Sequence, residues 1–500
     1  MFEALGAAAA VTLQPDNIWY AILGFLIGAV GGAMPGIGGP LVLTLMMPFT
    51  IGMSPESAMI LLIGAYTGGQ YAGSIPSILI NTPGNSSSAA AVFDGYPLAK
   101  QGEGVTAIAV SATASGIGSI LGGILLILIA PLLMQLVMLF GSPEFFMLGV
   151  VGLAVIVSIS RGSLLKGLIA WAVSALVASI GTSLIRAQPR YTMGIPELYD
   201  GINLVAAFIG VFAVAEMMRL AGQRGGSIAA ALSKTGSRIK GIWWTLKEWW
   251  TLLKSTAIGI ALGVVPGEGG TVAAFVAYGE AKRSSKEPER YGKGHPGGLV
   301  AADAANNSVI SGSLVPTLAF GIPGSNQAAI LLAALMLHAV RPGPDMFGAD
   351  IQLTYTMILA VIVGGVATLV LGLAFAKQLG LLSLVPTAIL IPCVIVVSML
   401  GSYVLAFNFM LTLQALVFGI VGYTMIRFGF SVVPFILGLI LGPLAELNLS
   451  RTVQLAGDQN VIWFILQRPL SMILFLIILV LLFSDPIKRL LKSLRQRRNS

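Results

Sequence analysis

Two stretches of this sequence set a Pro-Gly turn ahead of small polar residues and then an apolar helix. One is Asn81-Thr82-Pro83-Gly84-Asn85-Ser86-Ser87-Ser88, and the other is Ile322-Pro323-Gly324-Ser325-Asn326-Gln327. Pro-Gly makes a turn, and Asn or Ser just after it is a good N-cap. A helix N-terminus presents free N–H groups and a partial positive charge, which suits an anion. Two such tips facing each other can hold a carboxylate without a buried Lys or Arg, and the apolar runs here contain almost none. The bland alternative is a pair of capped turns outside a membrane, and the duplication weighs against it. The substrate-binding candidates are therefore Asn81, Thr82, Gly84, Asn85, Ser86, Ser87 and Ser88 on one tip, and Pro323, Gly324, Ser325, Asn326 and Gln327 on the other.

A second pair of motifs reads Pro-Gly-x-Gly-Gly. Pro35, Gly36, Gly38 and Gly39 form one, and Pro266, Gly267, Glu268, Gly269 and Gly270 the other. Their glycines let the backbone bend and expose carbonyls, and unwound carbonyls in transporters coordinate Na⁺. Close packing of a GxxxG face explains the same glycines without an ion. Ionisable residues inside apolar sequence are expensive and need a reason. Glu268, Asp303 and Asp94 qualify, and each can bind a cation or a proton. For Asp94 an interfacial, water-accessible position is the stronger reading. Asn306, Asn307 and Ser308 correspond to Tyr66, Thr67 and Gly68, a pair of polar patches expected to line one cavity. Asp303 and Asn306 join the glycine loops as candidate cation ligands.

Other chemistries find no support. There is no G-x-x-x-x-G-K-[ST] for a nucleotide phosphate and no H-E-x-x-H for zinc. His295 and His338 are the two histidines, and neither has a partner serine in sequence. Cys393 is the one cysteine, so an intramolecular disulfide and a thiolate cluster are excluded. No enzyme is expected, and no cofactor beyond a coupling Na⁺ or H⁺.

The elements that must position these motifs are membrane helices. Charged residues make up 10% of the 500 residues, against about 25% in soluble domains. Mean hydropathy is +0.92, so lipid must be the solvent for most of the chain. Candidate spans lie near 17–33, 40–62, 105–140, 144–160, 163–185, 200–220, 255–279, 350–376, 380–400, 403–426, 430–447 and 460–484. Residues 56–97 and 297–345 are interrupted by proline and glycine. Lipid cannot satisfy the backbone groups that proline frees, so these regions should be buried in protein or line a cavity. The N-terminus lacks the basic segment of a cleavable signal.

The chain repeats itself. Residues 28–39 and 259–270 share G-x-x-x-G-x-x-P-G-x-G-G, and Pro76 and Pro83 are spaced like Pro316 and Pro323. The expected organisation is a first repeat over 1–218, a basic cytoplasmic linker and interfacial helix over 219–254, a second repeat over 255–484, and a basic cytoplasmic tail over 485–500. The loop 280–293 carries Lys282, Arg283, Lys286, Arg290 and Lys293, whereas its counterpart near 49–57 has no Lys or Arg. The positive-inside rule then puts corresponding loops on opposite sides. Inverted repeats with paired broken segments mark secondary transporters, with the site where the broken segments meet.

PGIGG and PGEGG, NTPGN followed by SSAAAVFDGYPLAKQGE, and GIPGSNQAAILLAALMLHAVRPGP resemble the TctA large subunit of the tripartite tricarboxylate transporters, over about residues 17 to 480. The family pattern has small hydroxyl residues after the first Pro-Gly, where this chain has Asn85. The resemblance implies an all-α polytopic fold with re-entrant hairpins, in an elevator-type arrangement of scaffold and transport domains. It implies two partners, a small four-span membrane subunit and a periplasmic solute-binding protein, and no nucleic acid. It implies import of citrate-like carboxylates across the bacterial inner membrane, driven by an ion gradient, usually Na⁺. A passive channel, a membrane scaffold and an ion-coupled carrier of another substrate class are the competing readings.

Overall fold

The computed structural model describes residues 2–34, 37–159, 164–183, 188–222, 236–265, 269–382 and 387–479. The first half of the chain begins with α1 (Phe2–Thr12), α2 (Pro15–Gly32), α3 (Gly38–Met46), α4 (Pro55–Ala72), α5 (Ser74–Ile80), α6 (Val92–Leu98) and α7 (Gly104–Val137). Then come α8 (Ser142–Ile159), α9 (Leu164–Ala178), α10 (Leu204–Phe208) and α11 (Ala215–Ala221). After residues 223–235 follow α12 (Arg238–Lys247), α13 (Trp249–Gly263), α14 (Gly269–Ser284), α15 (Pro296–Phe320) and α16 (Asn326–Leu337). The last are α17 (Ile351–Ala367), α18 (Ala376–Leu382), α19 (Thr387–Val404), α20 (Phe409–Arg427), α21 (Val432–Ala456) and α22 (Val461–Leu466). Among the described residues the only sheet is a two-residue ribbon pairing Gly181–Thr182 with Pro189–Arg190. Five helices there are long and apolar enough to cross a membrane, so this is a multi-pass, essentially all-helical membrane protein.

Several spans expected from hydropathy divide differently. The run 40–62 breaks between α3 and α4, where Pro48 and Pro55 remove backbone donors. The run 255–279 breaks between α13 and α14 at the second glycine motif. Conversely, 105–140 holds a single helix. The 34 residues of α7 extend about 51 Å, well beyond a hydrocarbon core of about 30 Å. Of the expected linker over 219–254, residues 223–235 lie outside the described residues, and its later part forms α12, joined to α13 through Glu248.

The chain forms two compact units that do not fall on the sequence halves. One comprises Met1–Gln135 with Val205–Arg427, and the other Leu136–Leu204 with Phe428–Ser500. Each half of the chain thus contributes to both units. In the second unit α21 packs on α8 and α9. Buried Glu144 there accepts from Gly141 N at 2.9 Å, Arg468 Nε at 2.6 Å and Ser471 Oγ at 2.9 Å.

The first unit holds both proline-rich regions, and both are largely buried in protein, with exposed residues at and after the turn around Asn81 and at the end of α16. Its helices meet along small residues. A Cβ on Gly28 of α2 would lie 2.1 Å from Ala65 O of α4, and one on Gly259 of α13 would lie 2.4 Å from Ala305 O of α15. Those distances forbid any side chain, so backbones touch where the repeated GxxxG predicts close packing. The helix starts are locally specified. Ser54 Oγ accepts from Ser57 N before Pro55 opens α4, and His295 Nδ1 accepts from Gly297 N as Pro296 opens α15.

Candidate functional site

The two tips have the same local construction. At the first, α5 ends in Asn81 with φ of 57°, and Thr82 N donates to Pro76 O at 3.3 Å. At the second, α15 ends in Gly321 with φ of 66°, and Ile322 N donates to Pro316 O at 3.2 Å. Asn85 Oδ1 then accepts from Ser88 N at 2.8 Å, and Ser325 Oγ accepts from Ala328 N at 3.1 Å. Both prolines end up just outside a capped helix start, as the motif requires.

Each tip is wedged against backbone. A Cβ on Gly84 would sit 2.6 Å from Gly32 O, and one on Gly324 would sit 2.6 Å from Gly263 O. Gly32 and Gly263 are equivalent positions of the repeated motif, so each tip seats on the glycine face of its own half. The glycine loops reach across instead. A Cβ on Gly39 would lie 3.0 Å from Gln327 Nε2, and one on Gly270 would lie 3.2 Å from Ser87 Cβ. The loop of each half therefore abuts the tip of the other. Gly38 and Gly269 lie near their own tips, opposite Gly84 O and Gly324 O. Pro35, Gly36, Pro266, Gly267 and Glu268 fall outside the described residues.

The centre of this arrangement is Gln70, on α4, which the motif reading did not single out. Its Nε2 donates to Ser87 Oγ at 3.1 Å and to Asn306 Oδ1 at 2.7 Å. Its Oε1 accepts from Gln327 Nε2 at 3.2 Å, and its backbone O accepts from Asn306 Nδ2 at 3.2 Å. One side chain thus joins the first tip, the second tip and α15. Tyr66, one turn earlier, adds a second link, with its OH 2.9 Å from Ser325 Oγ. Both face inward from a helix whose interior is buried on all sides. No local sequence signal marks them, although the patch containing Tyr66 was recognised as the counterpart of Asn306.

The remaining candidates take different positions. Asn81, Thr82 and Ser86 are exposed, and Asn326 is half-buried. Pro323, Gly324, Ser325 and Gln327 are buried, as are Gly84, Ser87 and Ser88. Ser88 is occupied in closing the turn, since its Oγ accepts from Asn85 N and its carbonyl accepts from Ser77 Oγ at 3.0 Å. Ser87 donates to Asn85 Oδ1 at 2.9 Å. Asn306 is at the hub, whereas Asp303 lies one turn away, with Oδ1 accepting from Ser74 Oγ at 2.5 Å.

Asp94 departs from the sequence expectation. It is fully buried rather than at a wet interface. Its Oδ1 accepts from the backbone N–H groups of Gly292, Gly294 and His295, each at 2.8 Å. Three donors converging on one oxygen make an anchor for the loop that opens α15, not a cation site. Tyr291 covers this loop by stacking on His295, and burial pushes its hydroxyl up to about 12, so it stays neutral.

With this geometry in hand, comparison with known proteins is specific. The sequence profile of the Tripartite tricarboxylate transporter TctA family matches residues 18–437. An uncharacterized 52.8 kDa protein in the TAR-I ttuC' 3' region of Agrobacterium vitis is 34% identical over 455 residues, covering 90% of this chain and 89% of that relative. An uncharacterized protein in the TAR-II ttuC' 3' region of the same organism is 32% identical over 204 residues, 41% of this chain and 84% of the relative. No solved structure matches.

Proposed function

Because the chain belongs to the tripartite tricarboxylate transporter TctA family, we propose that it is the large membrane subunit of an ion-gradient-driven importer of tricarboxylates or related organic acids. It works with a small four-span membrane subunit and a periplasmic solute-binding protein, in the inner membrane, with its basic C-terminus in the cytoplasm. Na⁺ is the coupling ion.

The observation that carries this reading is the hub at Gln70, where both tips and α15 share one hydrogen-bonded side chain. A substrate carboxylate needs donors without a fixed cation, and the N–H groups opening at Ser86 and Asn326 supply them. Substrate held at either tip is then mechanically linked to the other. The cation belongs to the loops Gly38–Gly39 and Gly269–Gly270, which touch the tips, and to Asn306. The matched tip construction and the crossed loop contacts support an inverted pair of repeats, with the broken segments meeting at a shared site. In an elevator-type cycle the tips travel together against the remaining helices.

The test is uptake of labelled citrate and related acids by proteoliposomes holding the chain and its small partner, with binding protein, under a Na⁺ gradient. Concentrative uptake that needs both Na⁺ and binding protein is expected, with Ser87→Leu and Asn326→Leu abolishing it while both proteins still reach the membrane. Uptake that ignores the gradient and the binding protein would overturn the proposal in favour of a channel.

A further inference from the structure

Two rows of buried polar side chains face each other across α7 and α15. Ser111, Ser115 and Ser119 recur every four residues along α7, and Asp303, Asn307 and Ser311 do the same along α15. Residues four apart share one helix face, and all six side chains are fully buried. The helices touch along this seam. A Cβ on Gly118 would lie 2.7 Å from Ala304 O, and one on Gly122 would lie 2.8 Å from Ser311 Oγ. Asn307 Nδ2 approaches Ser119 Oγ at 3.4 Å, and Ser111 stands beside the Asp303 carboxylate without hydrogen-bond geometry.

What sets the seam apart is unused acceptor capacity. Ten buried side-chain atoms among the described residues have no hydrogen-bond partner, and five of them are Ser111 Oγ, Ser115 Oγ, Asp303 Oδ2, Asn307 Oδ1 and Ser311 Oγ. Buried hydroxyls in a helix commonly donate back to the preceding turn, as Thr113 does to Ala109 O at 2.7 Å. These serines do not. Buried polar atoms left unpaired are costly, so such a concentration calls for a partner. Asp303 sharpens the point, because no Lys, Arg or His pairs with it among the described residues, and Tyr71, on which its charge acts, donates its OH to Gly372 O instead.

The geometry points to a monovalent cation site, suited to Na⁺, between α7 and α15, with Asp303 Oδ2 as its one charged ligand and Ser111, Ser115 and Asn307 as neutral oxygen ligands. The free atoms are all oxygens, the donor set of a hard cation. One carboxylate balances one positive charge. A divalent ion would want more, and no cluster of three acidic, His or Cys side chains exists among the described residues. A proton on Asp303 would satisfy one oxygen and leave the others unexplained. Ser74 ties the site to the first tip, since it donates to the other carboxylate oxygen and opens α5. The functional meaning of the site rests on the proposed Na⁺ coupling, but its occupancy does not.

The purified chain in detergent is therefore unfolded thermally in NaCl or choline chloride at constant ionic strength and over a range of pH. Wild type should gain stability with Na⁺. Asp303→Asn should raise the Na⁺ needed for half the effect at least about tenfold, because it removes the only formal charge in the set. Ser115→Ala, a smaller change that keeps the fold if Asp303→Asn does not, should raise it severalfold. Equal stability in the two salts, a response to pH alone, or unshifted midpoints in both variants would each overturn the site. Uptake separates the two claims. A site that binds Na⁺ in a protein whose uptake ignores Na⁺ upholds the site and sinks the coupling. Na⁺-driven uptake with an unshifted midpoint in Asp303→Asn does the reverse.

Discussion

Replacing Gln70 by Leu tests the hub with little change of volume. The variant loses the amide that contacts Ser87, Asn306 and Gln327, while the backbone carbonyl that receives Asn306 Nδ2 remains. Ser87 keeps its bond to Asn85. Two groups are left with nothing, Asn306 Oδ1 and Gln327 Nε2, and both are buried. A buried polar group stripped of its partner costs about 1–3 kcal/mol, so the variant should lose roughly 2–6 kcal/mol. Uptake should fall further than stability alone implies, because both tips lose their common tether. Gln327→Leu separately removes one end of the same bond. If the hub is one unit, the double variant is less damaged than the sum of the singles, by about 0.5–3 kcal/mol. Denaturation in detergent reads the energies, and proteoliposome uptake reads the function. Strict additivity, or wild-type uptake by Gln70→Leu, would refute the reasoning.

Other perturbations have expected outcomes of their own. Asp94→Ala should cost about 2–4 kcal/mol, because three backbone donors lose the carboxylate oxygen that accepts from them; hydrogen exchange at residues 292–295 should rise, and an unchanged rate would remove its anchoring role. Gly259→Val should cost about 1–3 kcal/mol or more by driving Ser308 and Ala305 away, seen as a lower unfolding midpoint. Neutralising Arg190 with Gln should cost less than about 1 kcal/mol despite its bidentate pairing with Glu446, since both side chains are about one-third exposed. His338, just past the end of α16 with Nε2 3.0 Å from Thr50 Oγ1, is held below the usual imidazole range by burial. The unfolded chain therefore takes up that proton first, so the contribution is whole above about pH 6.5 and lost as pH falls toward the folded value. His338→Gln should flatten stability across pH 7 to 5, and an unaltered slope would assign it to another group.

Which parts of this architecture could be read from sequence depends on how far apart the interacting residues lie. The tips were legible because Pro83-Gly84 with Asn85, and Pro323-Gly324 with Ser325, write turn and cap within a few residues. The glycine faces were legible for the same reason. Gln70 was not, because its partners lie 17, 236 and 257 residues away and it sits in an otherwise ordinary helix. Asp94 was misread as interfacial because a carboxylate in sequence looks alike whether it meets water or receives buried N–H groups 198 to 201 residues on. The breaks near 47–54 and at 264–265 were hidden by hydropathy, which averages over a window and does not register where a helix stops. The serine row of α7 forms no motif of its own in sequence. Its meaning appears only beside Asp303 and Asn307.

The crossed contacts bear on how two tips with no fixed positive charge can act together. Each seats on the glycine face of its own half, through Gly32 and Gly263, so alone each would move with that half. Yet Gly39 abuts Gln327 and Gly270 abuts Ser87, so neither tip can shift without displacing the loop of the other half. Packed interfaces of this kind are stiff, because a few tenths of an ångström already bring atoms into overlap. On the proposed reading, a cation ordering one loop restricts the opposite tip, and a carboxylate ordering that tip restricts the loop in return. Linkage makes such an effect reciprocal. Substrate should therefore tighten Na⁺ binding by the same factor by which Na⁺ tightens substrate. Gly39→Ala, which crowds Gln327 while leaving its own tip alone, should reduce both factors together. A variant that weakened only one would show that the two ligands do not communicate through these contacts.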